Sequence, residues 1–211
     1  MKRIGITQRV ENITEYNKRR DCLDQKWAQF LFSLGMLPVI LPNLTPDQLE
    51  SCWKHLALNG VILSGGNSLS AYEPKSVNAA PERDCFEAAL IDKAIADQIP
   101  IIGVCRGMQM INVHFGGKLS PCVGQAGVRH PLVIKDEAYN SRLYDEVNSF
   151  HNYAIASQDL AAGAEVIACD PNKNIEAIFF PEKHIYGIMW HPERQAPFLK
   201  RDQQLIKDWL I

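Results

Sequence analysis

No stretch of this 211-residue chain is long and apolar enough to span a bilayer, so no membrane-crossing helix is expected. Charge of one sign is also missing: 22 Lys and Arg stand against 24 Asp and Glu, a formal net charge of −2. Without a basic surplus the chain lacks the electrostatic footprint of a nucleic-acid binder. The six cysteines, Cys22, Cys52, Cys85, Cys105, Cys122 and Cys169, include no Cys-x-x-Cys pair, which argues against a zinc site and a disulfide framework. Met1-Lys2-Arg3-Ile4-Gly5-Ile6 runs straight into strand-like residues without the apolar core or cleavage site of a signal peptide, so a cytoplasmic protein is expected. Internal repeats, low-complexity tracts and linkers are absent too, and residues 1–211 read as one domain.

What is present alternates. Residues 4–7, 37–42, 60–63 and 99–104 are short apolar runs of strand type. Between them lie helical patterns over 21–34, 45–55 and 81–97. In the first, Leu23, Trp27, Phe30, Leu31 and Leu34 share a face and Gly35 stops the run. In the second, Thr45-Pro46-Asp47-Gln48 supplies an N-cap, a first-turn proline and an N3 glutamine. Such alternation predicts an α/β fold, a mostly parallel central sheet with helices on both faces. After Gly117 the pattern changes to β-like runs at 132–135, 147–155, 166–169, 175–180 and 185–190. These predict a small antiparallel β layer or strand extensions at a sheet edge, and a helix over about 198–210 closes the chain.

The chemistry concentrates in Gly103-Val104-Cys105-Arg106-Gly107, which places a cysteine where a strand turns sharply into a helix. Flanking glycines relieve crowding at such an elbow, and the helix N-terminus with Arg106 would favour thiolate over thiol. A buried structural cysteine is the commoner fate of a lone Cys; the glycine bracket favours the nucleophile. At the end of the last strand-like run stands His191-Pro192-Glu193. Pro192 keeps His191 extended, and two-residue spacing puts His191 and Glu193 on one side of an extended segment. Cys105, His191 and Glu193 would then be nucleophile, base and orienting carboxylate. Acyl transfer also needs oxyanion donors, and the amides of Gly66 and Arg106 are the natural pair. Gly65-Gly66 considered alone would be a simple turn, but it follows a strand at the edge where parallel sheets place their sites.

Ser64-Gly65-Gly66, Gly103 to Gln109, Asn148-Ser149-Phe150-His151 and Gly187 to Glu193, in this order, resemble the class I glutamine amidotransferase-type hydrolases, a peptidase C26-like family that includes the γ-glutamyl hydrolases. The resemblance spans nearly the whole chain. It implies a flavodoxin-like sheet and a Cys-His-Glu triad attacking a γ-glutamyl amide, with no metal or organic cofactor. It further implies that Gly65, Gln109, Asn148, Ser149 and His151 bind the glutamyl α-amino and α-carboxylate groups; a buried, hydrogen-bonded Gln or His is equally common.

Within the family, residues 119–130 and 148–153 are similar to the group that hydrolyses γ-glutamyl-CDP-amidate for surface-polysaccharide modification. Arg129 and His130 would then meet its diphosphate leaving group, unless they are an incidental pair in a solvated loop. Arg106 and Arg83-Asp84 instead resemble the γ-glutamyl-γ-aminobutyrate hydrolases of polyamine catabolism. A glutaminase subunit delivering ammonia to a separate synthase also shares the triad. The expected partner is thus a small γ-glutamyl substrate, not nucleic acid or membrane; a homodimer and a synthase partner are left open.

Overall fold

The computed structural model describes residues 1–135 and 146–210. In chain order its main elements are β1 (Lys2–Thr7), β2 (Arg9–Ile13), β3 (Lys18–Cys22), α1 (Gln25–Ser33), β4 (Met36–Leu41), α2 (Pro46–Leu56), β5 (Gly60–Leu63), α3 (Pro81–Ala96), β6 (Ile101–Val104) and α4 (Arg106–His114). There follow β7 (Ser120–Pro121), β8 (Ala126–Pro131), β9 (Val133–Ile134), β10 (Glu146–Phe150), β11 (Tyr153–Ala154), β12 (Glu165–Cys169), β13 (Ile175–Phe180), β14 (Ile185–Ile188) and α5 (Lys200–Leu210). The main sheet has the order β4-β1-β5-β6-β14-β13-β12-β9. Its first five strands run parallel, and the last three each pair antiparallel. The parallel sheet and its antiparallel extension are those expected from the sequence.

Alternation along the strands sends side chains to opposite faces. Val61, Leu63 and Ile101 pack with Trp53, Phe86, Leu90, Met108 and Ile111 of α2, α3 and α4. Ile4, Ile6, Ile62 and Ile102 pack with Trp27, Phe30, Leu31, Ile206 and Trp209 of α1 and α5. Helices therefore cover both faces. The expected capping box is formed: Thr45 Oγ1 accepts from the Gln48 amide while Gln48 Oε1 accepts from the Thr45 amide at 3.0 Å.

The first helix is shorter than its apolar pattern. Asp24 caps it by accepting from the Lys26 amide at 2.9 Å, and residues 18–22 belong to a hairpin with β2. That hairpin pairs Glu11 with Arg20 across an exposed ribbon, so it has no apolar alternation to announce it. β8 likewise forms where a loop was expected, held by register to β10.

Helix α4 lies close against the sheet, because a Cβ on Gly103 would come within 2.6 Å of the Gly107 carbonyl carbon and the Met108 nitrogen. A Cβ on Gly187 would meet Met108 Cγ at 2.7 Å. The glycines around Cys105 thus allow a strand and a helix to touch backbone to backbone.

Candidate active site

Cys105 occupies the single residue between β6 and α4, with φ 53° and ψ −107°, a conformation strained for a residue with a Cβ. Two backbone bonds hold it there: its N–H donates to the Ile188 carbonyl at 2.8 Å, and its own carbonyl accepts from the Gln109 amide at 3.1 Å. This is the sharp elbow expected from the glycine bracket. Cys105 faces a cavity of about 160 Å³ shared with Gly66, Arg106, Gln109, Phe150, His151 and Tyr153.

His191 follows the end of β14 in extended conformation, and its Nδ1 lies 2.7 Å from Glu193 Oε1. Glu193 stands in a one-turn 3₁₀ helix, Pro192–Arg194, so the pair meets through a turn and not along an extended segment. Asn148 holds the backbone of His191 from both sides, its Oδ1 accepting from the His191 amide at 2.8 Å and its Nδ2 donating to the carbonyl at 2.9 Å. Phe150 contacts the imidazole edge to face at 5.6 Å, with Arg194 stacked over the Phe150 ring. Gly65 makes room on the other flank: a Cβ there would sit 2.6 Å from His191 Cε1.

Cys105 and His191 act on each other's protonation in opposite directions. Burial raises the Cys105 thiol, but attraction and a hydrogen bond from His191, with further attraction from His151 and Arg194, bring it below its ordinary value. Burial would lower His191; Cys105 and Glu193 more than offset this and lift it to about 9. Arg106 does not contribute in the way expected from its position. Its buried guanidinium pairs with Asp84 and Glu87, away from the sulfur.

Arg106 belongs to a buried network centred on Arg83. Arg83 Nη2 donates to the Ser64 carbonyl at 2.6 Å, and Nη1 to the carbonyls of Gly65 and Gly66 at 3.1 and 2.7 Å. Its Nε donates to Glu87 Oε1 at 2.8 Å, and Thr7 Oγ1 donates to that same oxygen at 2.7 Å. Three consecutive carbonyls are thereby turned toward one guanidinium, with Gly66 in the left-handed region at φ 82°. The signal was present in the sequence: Arg83 and Glu87 occupy the stripe of α3 that otherwise buries Phe86, Leu90, Ile91 and Ala94.

Of the substrate contacts expected, Gln109 and His151 line the cavity, and Gln109 Nε2 donates to the Tyr153 carbonyl at 2.9 Å. The others are placed differently. Gly65 gives its space to His191, and Asn148 fixes that histidine's backbone. Ser149 Oγ donates to the Gln125 carbonyl at 2.6 Å within the β8–β10 ribbon. Arg129 is exposed on β8 and paired with Glu146, lining a separate shallow cleft with Phe150 and Arg194. His130 is buried, 3.6 Å from Glu176 Oε2. β-Alternation decides this last pair: neighbours on one strand face opposite ways, so Arg129 and His130 do not form a joint anion site.

Residues 3–193 match the model of the peptidase C26 family, and the chain belongs to that family. It is 35% identical over 207 residues to the γ-glutamyl-CDP-amidate hydrolase of Campylobacter jejuni subsp. jejuni serotype O:2, covering 98% of this chain and 96% of that protein. It is 28% identical over 204 residues to the γ-glutamyl-γ-aminobutyrate hydrolase of Escherichia coli O157:H7, covering 81% and 78%. The fold is also that of a glutamine amidotransferase from Thermotoga maritima, with a TM-score of 0.67 at 19% identity over 99% of this chain and 84% of that one. Among the described residues no helix is long and apolar enough to cross a membrane.

Proposed function

We propose that this protein hydrolyses a γ-glutamyl amide through a Cys105 thioester. The observation that carries the reading is a strained cysteine at the head of a helix, paired with a buried His191 that is itself 2.7 Å from Glu193. The Cys105 thiolate attacks the γ-carbonyl carbon, and the carbonyl π electrons pass to oxygen, where the amides of Gly66 and Arg106 receive the oxyanion. Collapse of the tetrahedral species breaks the C–N bond as imidazolium His191 delivers its proton to the departing nitrogen. Neutral His191 then takes a proton from water, whose oxygen attacks the thioester carbonyl. Collapse of this second tetrahedral species breaks the C–S bond with its electron pair returning to sulfur, glutamate leaves, and the thiolate–imidazolium pair is restored. Glu193 keeps the imidazole oriented throughout. Arg83 acts as a positioning residue, holding the carbonyls of residues 64–66 so that the loop presents a fixed amide.

The 35% identity over 98% of the chain to a γ-glutamyl-CDP-amidate hydrolase supports that substrate; the reading then gives cytidine diphosphoramidate as the second product, and surface-polysaccharide modification as its use is part of the proposal. Glutamate release from γ-glutamyl-CDP-amidate, γ-glutamyl-γ-aminobutyrate and glutamine tests both levels. Preference for the nucleotide, abolished in a folded Cys105→Ala variant, is the expected outcome. Wild-type turnover in that variant refutes the thioester. Preference for γ-glutamyl-γ-aminobutyrate refutes the nucleotide assignment, and cleavage of none points to a glutaminase that needs a synthase partner.

A further inference from the structure

The cavity around Cys105, at about 160 Å³, falls below the roughly 300–1,000 Å³ of sites that enclose a whole small-molecule ligand. It suits the glutamyl portion of a substrate, and the rest must lie elsewhere. In the reading above His191 protonates the departing nitrogen, so everything bonded beyond that nitrogen starts at the imidazole. Two further clefts adjoin this residue. The one on its Gly65 side holds only about 70 Å³ and carries the carboxylates of Asp24 and Glu193. The other is walled by Phe150, which contacts the His191 ring, and by Asn148, which holds its backbone. It holds about 290 Å³, and among the described residues that line it none is a carboxylate. Phe150 is common to this cleft and the Cys105 cavity, so the two meet at His191.

The larger cleft contains two guanidiniums, those of Arg194 and Arg129. Arg194 Cζ lies 4.4 Å from the centroid of Phe150, a ring left 42% exposed. Guanidinium donors lie in the plane of the group, so a face laid on a ring leaves the edge for an anion. Arg129 enters from β8, paired with Glu146 in an ion pair that is about half exposed on both sides. Such a pair contributes little and yields to a more highly charged anion.

We propose that this cleft is the leaving-group subsite, in which Arg194 and Arg129 receive the oxygens of a phosphate-bearing group attached to the scissile nitrogen. The partner of Arg129 is thus Arg194, from the 3₁₀ turn after β14, and not its buried chain neighbour His130. A diphosphate has oxygens enough to engage both guanidiniums, whereas a single carboxylate is satisfied by one. The inference rests on the γ-glutamyl reading and assigns the residues that select its second product.

The first test needs no turnover: calorimetric titration of the full chain with CDP and with cytidine. CDP is expected to bind at least tenfold more tightly, and Arg129→Gln and Arg194→Gln each to weaken CDP by roughly tenfold or more, the effect of losing a charge-assisted hydrogen bond. CDP binding no tighter than cytidine, or unchanged in both folded variants, overturns the subsite.

The second test compares kcat/KM for γ-glutamyl-CDP-amidate with that for γ-glutamyl-p-nitroanilide, whose leaving group bears no phosphate. Any effect of Arg194 on the Cys105 sulfur is common to both substrates and cancels in the ratio. The ratio is expected to fall by about 10–100-fold in each variant. Equal losses on the two substrates would mean a merely structural role and overturn the proposal. If the wild-type chain cleaves neither substrate while CDP binding still depends on both arginines, the γ-glutamyl reading fails and the phosphate site stands.

Discussion

Replacing Gly65 by alanine isolates how the fold seats His191, the proposed base. The backbone of Gly65 lies outside the left-handed region, so alanine is conformationally admissible and the perturbation is the methyl group alone. That methyl would meet His191 Cε1 at 2.6 Å, whereas ordinary contacts begin at 3.4 Å, so the ring must retreat by about 0.8 Å. The His191 backbone is held by Asn148 on both its N–H and its carbonyl, and Nδ1 is held by Glu193. The displacement therefore falls on the relation between Nε2 and the sulfur. Misplacement of a reacting group by about 1 Å costs on the order of 10²-fold, equivalent to about 2.7 kcal/mol of barrier. Glutamate release by Gly65→Ala should fall by about two orders of magnitude in kcat. Its stability in denaturant titration should fall by only about 1–3 kcal/mol, the usual overpacking penalty. A variant that keeps its activity within about twofold would refute the claim that Gly65 is bare to accommodate His191.

Two further outcomes follow from the buried charges. Arg83→Met should lower stability by about 3–5 kcal/mol in chemical denaturation, since it strips Glu87 of one of its two guanidinium partners and leaves three carbonyls undonated. Arg83→Lys should not restore it, because one ammonium cannot serve that fan of acceptors; a loss under about 1 kcal/mol in either variant would refute the clamp. Asp202 accepts from Trp190 Nε1 at 3.1 Å, and burial, opposed by that bond and assisted by Glu193, raises its carboxyl from 3.8 to about 6. Between those values the folded state binds more protons than the unfolded state, so stability falls as pH rises through the window and stays lower above it. Asp202→Asn should therefore stabilise by up to about 3 kcal/mol at pH 7.5 and by almost nothing near pH 3.5; equal shifts at both pH values would contradict the linkage.

The local rules that operated here were legible residue by residue. The Thr45 capping box, the stop at Gly35, the β-branched run into Cys105 and the apolar stripe of α3 all depend on neighbours within one or two turns. The β2–β3 hairpin escaped because an exposed ribbon that places mostly polar and charged residues opposite one another leaves no apolar period. The roles of Asn148, Ser149 and His130 escaped for a different reason. Each lies on a strand of the β8–β10 ribbon, and which face meets the site is decided by the pairing register and the packing of that ribbon against β13 and the His191 loop.

The sequence by itself determined the parallel sheet and the elbow at Cys105, since both follow from short-range sterics and periodicity; it also put His191 near Glu193, though the contact is made through a 3₁₀ turn and not by strand period. Only the tertiary structure decided where the charges go. Arg106 lies next to Cys105 in the chain, yet its guanidinium turns into the α3 network, while His151 and Arg194 arrive from distant segments to act on the sulfur. The physical reason is that a buried charge must be compensated by whatever groups the fold brings within a few ångströms, and separation along the chain carries no information about that distance.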